Sequence, residues 1–263
     1  MVAADLFSVA GQIVLVTGAA RGLGYAMAEV MAENGATVVL TDIDPTALQD
    51  AGAKLRQRGL KVETEVLDVT NTERLKTVID ATAEKYGKLD VVFSNAGMSA
   101  GPGPWSPVGE IGNVSLGAWQ QVLQMNLTSA FVAIQTAAAH MKRQRSGRIV
   151  VTSSIACFRA EPLVGYAYVA SKAAISNVVR QAACELAAYN VLVNAIAPGP
   201  FMTSLGNGRL QDQKTADAFA NAVPLRRIAD TKEMKGLALL LGSPASSFIT
   251  GATLTANGGQ YMA

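Results

Sequence analysis

The chain has 263 residues, half of them hydrophobic, and its 22 basic and 20 acidic residues leave a net charge of +2. No stretch rich in Pro, Ser or charge marks a linker, so we expect a single domain over residues 1–263 with one large core. Because no run of Lys or Arg occurs, a nucleic-acid partner is not expected. The longest uncharged stretches contain polar residues and glycines, so a membrane partner is not expected either.

The rare residue types restrict the chemistry further. Cys157 and Cys184 are the only cysteines in the sequence, so no disulfide framework is expected, and a reducing cytoplasm fits this usage. Packing is the favoured role for both, with a reactive role for Cys157 as the alternative. A single histidine, His140, argues against a histidine-based metal site and against a Ser-His-Asp triad. The first ten residues include Asp5 and lack a basic segment, so they do not resemble a signal peptide.

Short apolar segments alternate with longer segments of helical spacing along the first part of the chain. Apolar runs predict strands over 12–17, 36–41, 61–67 and 89–94, and helical spacing predicts helices over 22–34, 45–58 and 71–86. Gly35 and Gly87 follow two of these helices as C-terminal stops, and Pro45 suits a first helical turn.

The alternation continues beyond a segment rich in Gly and Pro, 99–112. Helical spacing predicts helices over 116–142, 166–188 and 232–241, and apolar runs predict strands over 148–153, 191–196 and 252–256. The segment 203–222 is polar and is expected to be irregular. Strands that are apolar on both faces and separated by helices predict a parallel sheet covered on both sides. Right-handed crossovers then give an α/β fold: a Rossmann-type doubly wound sheet of about seven strands.

The first predicted strand runs directly into a glycine-rich turn, residues 17–24 (TGAARGLG). Its spacing is Gly-x-x-x-Gly-x-Gly, which differs from the common Gly-x-Gly-x-x-Gly fingerprint. Glycines let the backbone approach a ligand closely, and the N–H groups of the following helix favour a pyrophosphate. The turn therefore predicts a dinucleotide site, with a glycine-rich turn that binds nothing as the alternative.

Asp42 ends the second predicted strand, where a carboxylate accepts hydrogen bonds from the adenosine ribose and repels a 2′-phosphate. This favours NAD over NADP, with an ordinary strand-end or helix-capping aspartate as the alternative for Asp42. Arg21, in the glycine turn, is a cation that suits a 2′-phosphate. Because a fixed negative charge at the ribose outweighs a flexible positive one, NAD is the predicted cofactor, with NADP the alternative.

Tyr168 and Lys172 lie four residues apart near the start of a predicted helix, so they share one face. An unperturbed tyrosine has a pKa near ~10, and a neighbouring ammonium stabilises tyrosinate and lowers that pKa. The pair therefore suits a proton donor and acceptor at neutral pH. Taken alone, the motif is weak, since a surface tyrosine above a solvated lysine has the same spacing.

The order of the motifs is far more specific than any one of them. Behind the glycine turn come Asp42, then 95–97 (NAG), Ser154, Tyr168-x-x-x-Lys172 and 198–199 (PG). Over essentially the whole chain, this order closely resembles the short-chain dehydrogenase/reductase family. The resemblance implies an enzyme that moves a hydride between a nicotinamide cofactor and a small-molecule alcohol or ketone.

The resemblance also implies site residues. Asp68 and Val69 would contact the adenine, 95–97 would line the cofactor's edge and brace the sheet, and Thr203 would contact the carboxamide or cap the next helix. The full implied cofactor set is Gly18, Arg21, Gly22, Leu23, Gly24, Asp42, Ile43, Asp68, Val69, Asn95, Ala96, Gly97, Tyr168, Lys172, Pro198, Gly199 and Thr203.

Four residues carry the implied catalysis. Ser154 would hydrogen-bond the substrate oxygen, with the adjacent Ser153 as the weaker match. Tyr168 would transfer the proton, and Lys172 would lower its pKa and bind the nicotinamide ribose. Asn126 would hold a water in a proton relay, unless it is only a polar residue inside a helix.

The chain departs from the family pattern near the substrate. The spacing from Ser154 to Tyr168 is longer than is typical, and Cys157 and Phe158 stand where a small residue usually follows the serine. These changes leave the shape of the substrate pocket open. Asn257, in 255–259 (TANGG), replaces a usual Asp in a region that the family uses for packing and subunit contact.

Two segments resemble substrate-covering elements of the family. The segment 199–222 resembles its lid, with Gly206 and Gly208 suggesting mobility. Its apolar residues, suited to covering an organic substrate, are Phe201, Met202, Leu205, Leu210 and Phe219. The segment 99–112, with Trp105, is a second candidate wall, and plain packing is the alternative for Trp105.

Three functional hypotheses follow. The first is an NAD-dependent secondary-alcohol dehydrogenase, since the N-terminal half resembles members acting on polyols and sugar acids. The second is an NADPH-dependent 3-oxoacyl thioester reductase, and the third is a cofactor-binding protein without catalysis. The resemblance further implies a homotetramer using the two long helices, 116–142 and 166–188, through their alanine-rich faces.

Overall fold

The computed structural model describes residues 2–203 and 213–262. Seven parallel strands form one sheet in the order β3-β2-β1-β4-β5-β6-β7, which confirms the predicted doubly wound topology. Every predicted strand is present within two residues of its expected bounds. The strands are β1 Ile13–Thr17, β2 Thr37–Asp42, β3 Val62–Val66, β4 Val91–Ser94, β5 Gly147–Thr152, β6 Val191–Pro198 and β7 Thr253–Ala256.

Helices connect these strands and end where the sequence provides caps. Asp44 accepts from the N–H of Ala47 at 3.0 Å ahead of α3, and Gly87 closes α4 in the left-handed conformation. The helices are α1 Ala3–Leu6, α2 Gly22–Glu33, α3 Pro45–Gln57, α4 Thr72–Tyr86, α5 Leu116–Leu123, α6 Ser129–Gln144, α7 Tyr166–Leu186, α8 Gln213–Asn221 and α9 Lys235–Gly242.

The core has two halves, one on each face of the sheet. Alternate residues of β1 divide between them: Leu15 joins the cluster under α4, α6 and α7, while Val14 and Val16 join the cluster under α2, α3 and α9. All five residues of β1 are buried, as expected for a central strand with helices on both sides. Burial on both faces therefore explains the continuous apolar runs of the sequence.

The predicted helix over 116–142 is not continuous. A π-helical turn, Gln124–Thr128, separates α5 from α6. A π turn carries one residue more than an α turn and leaves the apolar pattern on either side intact, so hydrophobic spacing did not reveal it.

The expectation of an irregular segment over 203–222 is wrong for its second half, where α8 forms. Ala216, Phe219, Ala220 and Val223 recur at helical spacing and are the less exposed side chains of this stretch. The surrounding polar residues obscured that pattern. Leu205, Gly206, Gly208 and Leu210, also assigned to the lid, lie outside the described residues.

The alanine-rich faces expected at the subunit contacts comprise six residues: Ala137, Ala138, Ala139, Ala182, Ala183 and Ala187. Half of them lie inside the chain's own core. Ala137, Ala138 and Ala183 are buried against the sheet, whereas Ala139 and Ala187 are exposed. A buried helix face and an interface face carry the same small residues, so sequence alone did not separate them. Within 2–203 and 213–262, no helix has the length and apolar character needed to cross a membrane.

The edge strand β7 is fastened by a buried asparagine. Asn194 in β6 is 1% exposed; its amide donates to the carbonyl of Ile249 at 2.7 Å and accepts from the N–H of Ala252 at 3.0 Å. Both partners belong to the loop that leads into β7. The Asn194 side chain thus supplies hydrogen bonds to two backbone groups next to this short strand.

Replacing Asn194 by Leu should lower the free energy of unfolding by about 2–4 kcal/mol, because two buried backbone groups lose their partners. Urea denaturation followed by circular dichroism measures this change. Asn177→Leu, at an exposed position of α7, is the matched control and should change it by less than about 0.5 kcal/mol. Equal effects of the two variants would contradict the fastening role of Asn194.

Candidate active site

A cavity of about 870 Å³ opens at the carboxyl ends of the strands, where doubly wound sheets bind ligands. Residues that follow β1 to β6 line it. The sequence-predicted site residues all line this cavity except Gly24 and Asn126. The fold therefore brings together segments that are separated by more than 180 residues in the chain.

The glycine turn has the geometry that the sequence predicted. Gly18 and Gly22 have positive φ values of 65° and 62°, and a side chain at Gly24 would meet the carbonyl oxygen of Gly18 at 2.1 Å. The N-cap residue of α2, Arg21, makes no side-chain cap, so the first-turn N–H groups of this helix are not capped by it. Uncapped backbone amides that a ligand can approach closely are suited to binding a pyrophosphate.

Asn95 holds this turn against the rest of the sheet. Its amide donates to the carbonyls of Thr17 at 3.1 Å and Gly18 at 3.2 Å, and its Oδ1 accepts from the Thr152 hydroxyl at 3.0 Å. The turn after β1, the end of β4 and the end of β5 are thereby joined through one side chain.

Asp42 is held in a fixed orientation at the end of β2. It is 9% exposed, and its two oxygens accept from the N–H groups of Ala20 and Asp44, each at 3.1 Å. Arg21 pairs with Asp44 at 2.7 Å. The carboxylate suits a ribose diol, and the nearby guanidinium is already engaged by a second carboxylate.

Ile43, Asp68 and Val69, the residues expected to lie at the adenine, all line the cavity. The apolar side chain of Ile43 is 59% exposed. A flat ring bound against it would cover this exposed surface. Asp68 accepts from the N–H of Thr70 at 2.9 Å and from its hydroxyl at 2.7 Å, which fixes the loop after β3. At the other end, Thr203 lies over Gly22.

Ser154, Tyr168 and Lys172 meet at the end of β5. Ser154 accepts from the N–H of Ala156 at 3.2 Å, and its hydroxyl is close enough to Tyr168 to lower the pKa of the phenol. The ammonium of Lys172 lies 5.6 Å from the tyrosine ring centre and donates to the carbonyl of Thr152 at 2.7 Å. Because the start of α7 faces the end of β5, the two side chains of the Tyr-x-x-x-Lys motif lie beside Ser154.

Burial dominates the pKa values of this pair. It raises the pKa of Tyr168, while the hydrogen bond from Ser154 lowers it and the negative charges of Cys157 and Glu161 raise it. Burial also lowers the pKa of Lys172 to about 8. Desolvation disfavours the charged forms of both groups, and the predicted lowering of the tyrosine pKa by Lys172 stays a prediction.

The structure separates the two adjacent serines. The Ser153 hydroxyl lies 2.6 Å from that of Ser176 and donates to the carbonyl of Lys172 at 3.2 Å, so it packs β5 against α7. Ser154 makes neither of these contacts and lines the cavity together with Tyr168. Ser154 is therefore the better placed of the two to meet a substrate.

Asn126 lies in the π turn and is 2% exposed. Its side chain accepts from the N–H of Met98 at 2.8 Å and donates to the Met98 carbonyl at 2.9 Å and to Ser171 at 3.3 Å. It braces the loop after β4 from behind the cavity wall. Its proposed part in a proton relay stays a prediction.

Sequence analysis missed three polar residues of the cavity, Thr152, Glu161 and Gln260. None of them belongs to a motif, and Arg159 joins the last two by bonding the Glu161 carboxylate at 3.0 Å and the Gln260 carbonyl at 2.8 Å. Trp105, a candidate wall residue, is 78% exposed and does not line the cavity, so neither pocket lining nor core packing describes it. Ser99, Gly101 and Pro102 of the same segment do line the cavity.

Gly24→Ala should weaken dinucleotide binding at least about tenfold, a change of about 1.4 kcal/mol, because the new methyl group displaces the Gly18 carbonyl. Quenching of intrinsic fluorescence by added NADH gives the affinity. Gly236→Ala is the control, since nothing lies within 4 Å of the added atom on α9. An unchanged affinity of Gly24→Ala for NADH would refute a close approach of the dinucleotide to the glycine turn.

Comparison with known proteins agrees with this geometry. The family model described as enoyl-(acyl carrier protein) reductase matches residues 18–260. The 5-keto-D-gluconate 5-reductase of Escherichia coli (strain K12) is 30% identical over 259 residues, covering 98% of this chain and 99% of that protein. A 3-oxoacyl-[acyl-carrier-protein] reductase of Vibrio cholerae is 32% identical over 253 residues, covering 96% and 98%.

Among solved structures, a gluconate 5-dehydrogenase from Burkholderia cenocepacia in complex with NADP and tartrate has a TM-score of 0.89 and 28% identity, covering 98% of both chains. The family match spans almost the whole chain, and the two relatives are similar over their full lengths. This chain belongs to the short-chain dehydrogenase/reductase family and is an oxidoreductase that acts on CH–OH groups with NAD(P).

Proposed function

We propose that this enzyme interconverts a secondary alcohol and a ketone on a polyol or sugar-acid type of substrate, with NAD as the preferred cofactor and Tyr168 as general acid and base. The observation that carries the proposal is the meeting of Ser154, Tyr168 and Lys172 in the wall of the cavity that starts at the glycine turn. A substrate oxygen bound there would have the hydroxyl groups of Ser154 and Tyr168 as its two donors.

The chemistry divides between cofactor and protein. A bound nicotinamide supplies or accepts the hydride. Ser154 and Tyr168 hydrogen-bond the substrate oxygen and stabilise the negative charge that develops on it. Tyr168 gives up its proton in reduction and takes the alcohol proton in oxidation. Lys172, held by Thr152, brings a positive charge close to the tyrosine, and its own pKa of about 8 keeps it largely protonated at neutral pH.

Support for NAD comes from Asp42 and Arg21. The Asp42 carboxylate is fixed by two backbone N–H groups, and its charge opposes a 2′-phosphate. The one cation of the glycine turn is paired with Asp44. The similar structure from B. cenocepacia holds NADP, so the family fold accepts either cofactor and the choice rests on these local charges.

Support for a polyol or sugar acid as the substrate comes from the similar proteins and from the residues that line the cavity. The E. coli relative is named for a keto-gluconate, and the tartrate complex is of a gluconate dehydrogenase. In this chain, Ser99, Glu161 and Gln260 add polar groups to the cavity. The V. cholerae relative favours a second candidate, an NADPH-dependent 3-oxoacyl thioester reductase. The negative charge of Asp42 opposes the 2′-phosphate of NADPH, the cofactor of this second candidate.

We also propose that the protein assembles as a homotetramer. The exposed apolar side chains of Phe131 on α6 and of Phe248 and Met262 beyond α9 are 46%, 103% and 78% exposed. Large apolar side chains on the surface are suited to subunit contacts. The exposed alanines Ala139 and Ala187 leave room for close helix packing.

Tyr168→Phe should reduce kcat for alcohol oxidation by about a hundredfold or more while leaving NADH binding unchanged, because only the proton-transfer group is removed. Initial rates by absorbance of NADH, together with fluorescence titration, separate the two effects. Tyr166→Phe, two residues earlier on α7, is the matched control and should keep its activity. Near-wild-type turnover of Tyr168→Phe would exclude the tyrosine as the general acid and base.

Asp42→Asn should lower the ratio of kcat/KM for NAD to that for NADP by about tenfold, because the carboxylate no longer repels the 2′-phosphate. Steady-state rates with each cofactor give the ratio. Asp50→Asn, exposed on α3, is the control for the loss of one negative charge. A ratio that stays constant in Asp42→Asn, or a wild-type enzyme that favours NADP, contradicts the proposed preference.

A further inference from the structure

The C-terminal segment 257–261 is fastened to the loop that follows Ser154. Phe158 and Tyr261 stack with ring centres 4.6 Å apart and planes 2° from parallel, and Arg159 donates to the carbonyl of Gln260 at 2.8 Å. The amide of Asn257 donates to the carbonyl of Tyr261 at 2.8 Å. An Asp at this position has no such donor, so the family departures at Phe158 and Asn257 cooperate to set the position of Gln260.

Gln260 lies at the cavity wall with an incompletely bonded amide. The residue is 8% exposed, and its Oε1 is buried without a hydrogen-bond partner among the described residues, so rotation of the amide is what would bring that oxygen to a ligand. Buried amides are normally hydrogen-bonded, and rotation of the amide exchanges its donor and its acceptor. A ligand hydroxyl, which both donates and accepts, is the natural partner for such a group.

Glu161 provides a second acceptor on the same side of the cavity. Its side chain is 10% exposed, and Arg159 donates to Oε2 at 3.0 Å, so Oε1 is not used by that ion pair. The carboxylate is close enough to Tyr168 to raise the pKa of the phenol. Arg159 does not line the cavity, so a substrate meets the carboxylate rather than the guanidinium.

We infer that Glu161 and Gln260 form a subsite that binds a hydroxyl group on the substrate beyond the reacting carbon and disfavours a carboxylate there. This hydroxyl subsite rests on the proposed function. It narrows the proposed substrate class from polyols and sugar acids to uncharged polyols and sugars. A carboxylate meets the negative charge of Glu161, whereas a hydroxyl donates to it. An acyl thioester chain offers no hydroxyl to either residue along its aliphatic part.

The test compares three kinds of alcohol: alditols, the aldonates of the same chain length, and cyclohexanol, which has no second hydroxyl. The measured quantities are the ratios of kcat/KM between them, with NAD, for the wild type and for Gln260→Met, Glu161→Gln and Glu110→Gln. Glu110 is exposed and outside the cavity lining, so it controls for the loss of a carboxylate.

The wild type should favour alditols over the matching aldonates. Gln260→Met should lower the alditol-to-cyclohexanol ratio about tenfold, because a hydrogen bond to the second hydroxyl is lost. Glu161→Gln should lower the alditol-to-aldonate ratio about tenfold, because the repulsive charge is gone. Glu110→Gln should leave both ratios unchanged.

Two further measurements separate recognition from a structural role. Gln260→Met removes a buried oxygen that has no partner, so its Tm should not fall below that of the wild type. Glu161→Gln should move the alkaline rise of cyclohexanol oxidation to lower pH, because the carboxylate that raises the pKa of Tyr168 is removed. A lower Tm with unchanged substrate ratios would assign Gln260 to packing alone and overturn the inference.

The remaining outcomes separate this inference from the proposed function. Turnover of alditols and aldonates with ratios that neither variant changes, or a wild-type preference for aldonates, overturns the hydroxyl subsite and leaves the proposed function standing. No turnover of any alditol or aldonate overturns both.

Discussion

The side chain of Asn95 is the connection on which the site depends. It bonds the two carbonyls of the glycine turn on one side and Thr152 on the other, and the carbonyl of Thr152 holds Lys172. The glycine turn and Lys172 are thus joined through three strand ends. Because these strands are buried and central, the distance between the glycine turn and the Tyr168–Lys172 pair is set by the sheet rather than by flexible loops.

Burial gives this arrangement its electrostatic character. Lys172 is buried and Tyr168 is half-buried, and this desolvation raises the pKa of the phenol and lowers that of the ammonium. Each shift favours the neutral form, so the protein alone does not prepare a tyrosinate. An oxidised nicotinamide held in this cavity would bring a positive charge to the pair, and that charge would favour the tyrosinate form of Tyr168.

Local patterns predicted most of the fold and the central part of the site. The turn at 17–24 and the Tyr168–Lys172 pair each lie within eight residues, and apolar runs marked every strand because the sheet is covered on both faces. The π turn at Gln124–Thr128 and the helix Gln213–Asn221 were missed, since neither changes the apolar pattern enough to be recognised. Gln260 was missed because its contact with Arg159 joins residues 101 positions apart, and only the folded chain brings them together.

The π turn also ties the active site to the register of a whole helix. One additional residue in a helical repeat rotates everything before it by about 100° relative to everything after it. The face of α5 that meets α7 and the face of α6 that meets the sheet are therefore in phase only because residues 124–128 take this turn. A chain lacking one residue there would keep its composition and its apolar content, yet it would turn α5 away from α7 and withdraw Asn126 from the loop it braces. The length of this short stretch is therefore constrained independently of its composition.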